Sequence, residues 1–117
     1  MSESLDLGSL RSALEDHRDR LRREIAGEGF DPDSEDFNAE LERGFADGGL
    51  AAADRGQRIT LVRELRASLR DVERALAKMD GGTYGTCERC GRPIGADRLE
   101  ALPWARLCIS CKQQVRG

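Results

Sequence analysis

Four cysteines in the C-terminal third of the chain are the residues whose type and spacing could do chemistry. They form two CxxC pairs, Cys87 with Cys90 and Cys108 with Cys111, with seventeen residues between the pairs. Two residues between cysteines let one tight turn present both sulfurs to a single ion, and four thiolates leave no coordination position for a catalytic water. The spacing therefore predicts one structural Zn²⁺. Iron in a rubredoxin-like site and a redox-active disulfide pair are the alternatives.

The residues around the cysteines suit a metal site. Gly91 follows Cys90 and can adopt the positive φ that such a turn often needs, which lets backbone N–H groups point at sulfur. Four thiolates around a divalent cation leave a net negative charge, which nearby basic residues can offset: Arg89, Arg92, Arg106 and Lys112. The apolar residues of this segment can supply only a miniature core: Tyr84, Ile94, Leu99, Leu102, Trp104 and Leu107. We therefore expect metal binding to supply most of the segment's folding free energy.

Signatures of enzymatic chemistry are missing from the sequence. It contains no GxxxxGKS phosphate loop, no GxSxG elbow and no HExxH zinc motif. The stretch "DPDSEDF" is acidic throughout, which is typical of a solvated connector and not of an acid–base pair with separated pKa values. We expect a protein that is not an enzyme.

The elements that position the cysteines are predicted to be helices. Apolar residues alternate three and four apart from Val62 onward, as in a coiled-coil seam: Val62, Leu65, Leu69, Val72, Leu76 and Met79. This helix should begin near Leu50 and stop at Gly81 and Gly82. A second stripe lies near the N-terminus: Leu7, Leu10, Leu14, Leu21 and Ile25. Two stripes of similar length predict an antiparallel helical hairpin.

His17, the only histidine, occupies a position in the N-terminal stripe that should be apolar. We expect a partly buried residue bonded to a neighbour, with a metal or catalytic role as the alternative. Between the two stripes, Phe37, Leu41 and Phe45 recur four apart and predict a short amphipathic helix. Its apolar residues should cap the core of the hairpin.

These elements predict a mainly α protein in two parts. Residues 1–80 form the helical hairpin with an acidic connector at 27–54, and residues 81–117 form a small C4-type zinc-finger unit. Charge follows the same division: residues 1–80 hold 13 basic and 19 acidic side chains, whereas residues 81–117 hold 6 basic and 3 acidic ones. The connector would repel a nucleic-acid backbone. Neither a signal peptide nor a membrane span is evident, so we expect a cytoplasmic protein with reduced thiols.

A helical hairpin followed by "GTYGTCERCGRPIGADRLEALPWARLCISC" resembles the DksA/TraR family of bacterial transcription regulators. The likeness rests on the aromatic residue and glycine before the first CxxC pair, the CxxCG motif, the isoleucine, the "RLEA" segment, a proline and the second CxxC pair. It implies a protein that binds RNA polymerase and inserts its coiled coil through the secondary channel, and that does not read a DNA sequence.

The resemblance also implies an acidic tip on the coiled coil. Matching "AAADRG" to the family's DxxDxA pattern places Asp54 on the second acid, with Ala51 and Gly56 at the other two positions. Asp47 lies earlier in the chain and could substitute for the first acid.

Two other functions remain open at this stage, although a monomer that binds polymerase is the expectation. One is a zinc ribbon that contacts nucleic acid directly through four arginines: Arg89, Arg92, Arg98 and Arg106. The other is a coiled coil that self-associates through its seam residues.

Overall fold

The computed structural model describes residues 6–46 and 52–116. Five helices form within these ranges: α1 (Leu7–Gly27), α2 (Phe37–Ala46), α3 (Ala52–Gly81), α4 (Ala96–Ala101) and α5 (Ile109–Arg116). No strand forms in the same ranges, where the one extended pairing is an antiparallel bridge between Thr86 and Pro93. The predicted mainly α fold is confirmed. Among these residues, no helix combines the length and the apolar character that crossing a bilayer requires.

Helix α1 has a defined cap at each end. Asp6 accepts hydrogen bonds from the Ser9 backbone N–H at 3.1 Å and from the Ser9 hydroxyl at 2.7 Å, which satisfies a donor of the first turn. The same two bonds hold the pKa of the Asp6 carboxyl below its usual value. At the other end, Gly29 adopts a φ of 93° and the Phe30 N–H donates to the Ile25 carbonyl at 3.3 Å. This is a Schellman motif, and it fixes the end of α1 at Gly27.

Helix α3 ends by the same mechanism. Gly82 adopts a φ of 82°, and the Thr83 N–H donates to the Lys78 carbonyl at 2.9 Å. The predicted stop at the glycine pair is confirmed. The predicted start near Leu50 falls outside the described residues, and α3 begins at Ala52.

The apolar stripes form the core of the helices. In α3, Val62, Leu69, Val72 and Leu76 are buried, and Leu65 and Met79 are partly buried. The buried residues of α1 are Leu10, Leu14, Leu21 and Ile25. Leu7 departs from the predicted stripe: it lies in the first turn of α1 and is half exposed.

Contacts divide the chain into two compact units. One contains the chain up to Arg18 and from Asp71 onward, and the other spans Asp19–Arg70. Each unit therefore contains part of α1 and part of α3. The boundary expected near residue 80, between hairpin and finger, stays a prediction.

Ion pairs inside each unit give the direction of the two long helices. Arg11 pairs with Asp80 at 2.7 Å in the first unit, and Glu28 pairs with Arg58 in the second. An early residue of α1 thus meets a late residue of α3, and the residue that directly follows α1 meets an early residue of α3. The two helices form the predicted antiparallel hairpin.

In the unit Asp19–Arg70, the connector is held to the helices by an aromatic and cationic contact. The Phe30 and Phe37 rings lie 6.1 Å apart, and the Arg66 guanidinium lies 4.6 Å from the centre of the Phe37 ring. Arg66 also donates to the Ser34 carbonyl at 3.1 Å. Phe37 and Leu41 are buried, so the short amphipathic helix is confirmed as α2. The Phe45 side chain falls outside the described part of the chain.

Substitution of Leu69 should test this core. Leu69 is fully buried, and Leu69→Ala should lower the free energy of unfolding by about 2–5 kcal/mol because it removes buried methyl groups and leaves a cavity. Leu61→Ala is the matched control on the same helix, because Leu61 is 47% exposed. Its effect should stay within about 0.5 kcal/mol. Urea unfolding followed by helical circular dichroism measures both, and equal losses in the two variants would contradict the assigned seam.

Candidate metal centre

The four cysteines converge on one point. Their sulfur atoms all lie within 4.8 Å of one another, and all four cysteines are free of disulfide bonds. A tetrahedral zinc ion with Zn–S bonds of about 2.3 Å separates its sulfurs by about 3.8 Å. The Cys90 and Cys108 sulfurs lie 3.8 Å apart. The donor set therefore fits one Zn²⁺.

The first CxxC pair lies in a turn fixed by backbone hydrogen bonds. The Cys87 N–H donates to the Arg92 carbonyl at 2.8 Å, and the Gly91 N–H donates to the Cys87 carbonyl at 3.0 Å. Gly91 adopts a φ of 77°, as predicted, a conformation that residues with a side chain rarely adopt.

The second CxxC pair lies at the start of α5. Cys108 immediately precedes this helix and Cys111 lies in its first turn, where the Lys112 N–H donates to the Cys108 carbonyl at 2.9 Å. The helical turn brings both sulfurs to the same side, toward the first CxxC turn.

The thiols of this cluster cannot all ionise with equal ease. Backbone N–H groups of Cys90 and Cys108 donate to the Cys87 sulfur and lower the pKa of its thiol to about 6. Burial, and then the neighbouring thiols, raise the pKa of Cys111 to about 12. A thiolate is the form that binds metal. Full ionisation of the set therefore requires a compensating cation.

A small apolar core supports the cysteines. Cys87 and Cys111 are buried together with Ile94 and Leu99. Tyr84 packs against this cluster and donates its hydroxyl hydrogen to the Pro103 carbonyl at 2.9 Å. Leu107 is partly buried and also packs there, whereas Leu102 and Trp104 are partly buried outside this cluster.

The arginines of the finger make internal contacts. Arg89 donates to the Gln114 side-chain oxygen at 2.7 Å, and Arg98 donates to the Leu107 carbonyl at 2.9 Å. Arg106 lies 3.9 Å from a carboxylate oxygen of Asp71 and 3.9 Å from one of Glu88. These groups therefore help to hold the finger together, and their expected offset of the thiolate charge stays a prediction.

Glu88, inside the first CxxC turn, is the centre of an ion-pair cluster that sequence reasoning missed. Its carboxylate lies 2.5 Å from the Lys78 ammonium and 3.4 Å from the Arg74 guanidinium, both on α3. Its backbone N–H donates to the Arg106 carbonyl at 2.9 Å. Burial raises the pKa of Glu88, but the bond from Lys78 and the charges of Lys78, Arg74 and Arg106 outweigh it, and the net shift is downward. The spacing of Arg74 and Lys78, one helical turn apart, was the available signal.

His17 contacts an aromatic residue of the finger. Its ring lies edge-on to Trp104, with 5.1 Å between ring centres and an angle of 67° between the planes. His17 is partly buried, as expected. Among residues 6–46 and 52–116, the cysteines form the only cluster of metal-ligating side chains, so no metal site includes His17.

The two acidic residues expected at the tip are Asp54 and Asp47. Asp54 is exposed in the first turn of α3, and Asp47 lies outside the described residues. Their expected role stays a prediction.

Comparison with known proteins identifies the finger. Residues 82–115 match the model of the prokaryotic dksA/traR C4-type zinc finger. General stress protein 16O of Bacillus subtilis is 37% identical over 100 residues, which cover 81% of this chain. The RNA polymerase-binding transcription factor DksA of Escherichia coli is 47% identical over 47 residues, or 40% of this chain. The structure of transcription factor DksA2 from Pseudomonas aeruginosa superposes with a TM-score of 0.64 at 29% identity, covering 93% of this chain and 81% of that one.

The matches to sequence relatives are partial. The chain spans 61% of the length of the Bacillus protein and 31% of the length of the Escherichia protein. The zinc-finger motif, the four clustered sulfurs and the fold nevertheless agree with one another. The finger of this chain belongs to the DksA/TraR family of C4-type zinc fingers.

Proposed function

We propose that this protein is a cytoplasmic transcription regulator that binds RNA polymerase and performs no catalysis of its own. The observation that carries the proposal is the finger, which has four clustered sulfurs and matches the dksA/traR zinc-finger model. A relative that is 47% identical over 47 residues is named as an RNA polymerase-binding transcription factor. The likeness of the whole fold to DksA2 supports it.

In this proposal Cys87, Cys90, Cys108 and Cys111 bind one Zn²⁺ with a structural role. Two of the sulfurs belong to buried residues, Cys87 and Cys111, and the core around them is small. Such a core cannot hold two turns together against the mutual repulsion of four thiolates. Zinc neutralises half of that charge, nearby basic residues can offset part of the remainder, and the ion joins the two turns.

The helical hairpin is the part proposed to enter the secondary channel of the polymerase. Asp54 is exposed at the start of α3, in a region of the sequence where residues 27–54 hold nine acids and a single arginine. A catalytic site that holds divalent cations attracts such a region electrostatically. We propose Asp54, together with Asp47, as the acidic contact near those cations.

The structure favours this proposal over the two alternatives. Arg89, Arg98 and Arg106 already make internal contacts, which leaves less of the finger's positive charge available for phosphate groups. The apolar seam of α3 is buried within the chain, so it does not offer an open stripe to a second copy. A monomer without sequence-specific DNA binding is therefore part of the proposal.

Removal of one sulfur should test the metal centre. Cys111→Ser replaces a buried thiolate with a much weaker zinc ligand, so the zinc content of purified protein should fall from one ion per chain to a small fraction of that. The fluorescence of Trp104, the single tryptophan, should change with it. Ser110→Ala, at the exposed neighbouring position, should keep its zinc. Full zinc retention by Cys111→Ser would contradict the assignment of this ligand.

Substitution of the tip should separate binding from effect. Asp54→Asn keeps the shape of the side chain and removes its charge. The variant should still bind core RNA polymerase in a pull-down, because the finger is unchanged, but should lose most of its effect in transcription from a responsive promoter. Asp47→Asn should act in the same direction.

The control for the tip is Glu64→Gln, which removes one negative charge from an exposed position of the same helix. It should leave both binding and transcription close to those of the native chain. A native chain that fails to bind polymerase would refute the proposed function, and an unchanged transcriptional effect in both tip variants would refute the assigned contact.

A further inference from the structure

The ion-pair cluster of Glu88 joins the two cysteine-bearing segments to α3, a connection that the zinc ligands alone do not make. We define the Glu88 cluster as Glu88, Lys78, Arg74, Arg106 and Asp71. Glu88 lies between the two cysteines of the first CxxC turn, and Arg106 lies two residues before the second pair. Arg74, Lys78 and Asp71 belong to α3. All five residues lie within one compact unit.

The contacts of Glu88 run in two directions. Its backbone N–H donates to the Arg106 carbonyl, and its carboxylate lies 3.9 Å from the Arg106 guanidinium. The first CxxC turn is therefore joined to the segment that leads into the second CxxC pair. The same carboxylate contacts Lys78 at 2.5 Å and Arg74 at 3.4 Å, so the turn is joined to the last part of α3.

Partial burial of Lys78 gives its contact with Glu88 more weight than a fully exposed ion pair has. The Lys78 side chain is only 18% exposed and the Glu88 side chain 31%. A cation with so little access to water depends on its partner, whereas exposed pairs contribute little. Loss of the Glu88 charge would leave the partly buried Lys78 ammonium without this carboxylate.

We infer that Glu88 is a positioning residue that couples zinc binding to the C-terminal end of α3. Zinc fixes the first CxxC turn and with it the Glu88 carboxylate, which then holds Lys78 and Arg74. In the other direction, α3 holds the carboxylate and so keeps the turn in the shape that binds the metal. Groups that orient a metal-binding turn without touching the metal typically change its affinity by about 10–100-fold.

This inference goes beyond polymerase binding and rests on the proposed zinc site. Because a coupling between two sites is reciprocal in free energy, it predicts effects in both directions. A substitution on α3 should weaken zinc binding, and zinc should protect the end of α3. If Glu88 only stabilised the finger, a substitution on α3 would leave zinc affinity unchanged. Zinc would then also give the end of α3 no protection.

The first test measures zinc affinity by competition with a coloured chelator. Glu88→Gln should bind zinc about tenfold more weakly than the native chain. Lys78→Met, which keeps the aliphatic stem on α3 and changes nothing in the finger, should weaken it in the same direction, and the double variant should be no weaker than Glu88→Gln alone. The matched controls are Glu100→Gln, an exposed acid of the finger, and Arg70→Met, an exposed cation of α3. Both should bind zinc as the native chain does.

The second test is hydrogen exchange of the amides of residues 74–83 in zinc-loaded protein. These amides should exchange faster in Glu88→Gln than in the native chain, and at the native rate in Glu100→Gln. A native chain that binds no zinc overturns the zinc site and the coupling with it. The coupling alone is overturned by a different set of results. In that case the native chain binds zinc, Lys78→Met binds zinc with the native affinity, and the amides of Glu88→Gln exchange at the native rate.

Discussion

The convergence of four sulfurs within 4.8 Å is the constraint on which the C-terminal part of this protein depends. Thiols that must be ionised to bind metal repel one another as thiolates, and burial raises the free-energy cost of ionising them. The pKa values of Cys87 and Cys111 shift in opposite directions for this reason. Backbone N–H groups lower the pKa of the Cys87 thiol, whereas burial and the neighbouring thiols raise the pKa of the Cys111 thiol. A divalent cation removes the conflict at both residues, and the surrounding core is too small to remove it otherwise.

Most local structure could be predicted from the sequence because short-range rules dictate it. The spacing of the cysteines, the positive φ of Gly91 and the end of α3 at the glycine pair each depend on a few neighbouring residues. The buried positions of the α3 seam follow from helical periodicity in the same way. The prediction that Leu7 belongs to the apolar stripe was wrong, because periodicity does not indicate where the partner surface ends. Leu7 lies in the first turn of α1, at such an end.

What the sequence did not predict depends on contacts between residues far apart in the chain. Glu88 and Lys78 are ten positions apart, and His17 and Trp104 meet across most of the sequence. From the sequence alone, a charged residue such as Glu88 inside a CxxC turn would be predicted to be solvent-exposed and unpaired. Its partners become evident only when the helix that packs against the turn is known. The same holds for the two compact units, whose boundary falls within α1 and within α3 although both helices are continuous there.

The acidic connector illustrates how tertiary contacts change the meaning of a charge count. The sequence presented residues 27–54 as a uniformly acidic segment, but several of its acids contact arginines of α1 and α3: Asp33 with Arg22, Glu28 with Arg58, and Glu42 with Arg63. The hydrogen bond from Arg22 lowers the pKa of the Asp33 carboxyl, because the guanidinium stabilises its charged form. Acids paired in this way contribute less to long-range attraction. The charge that remains to attract a cation therefore belongs to exposed acids outside these pairs, and Asp54 is one of them.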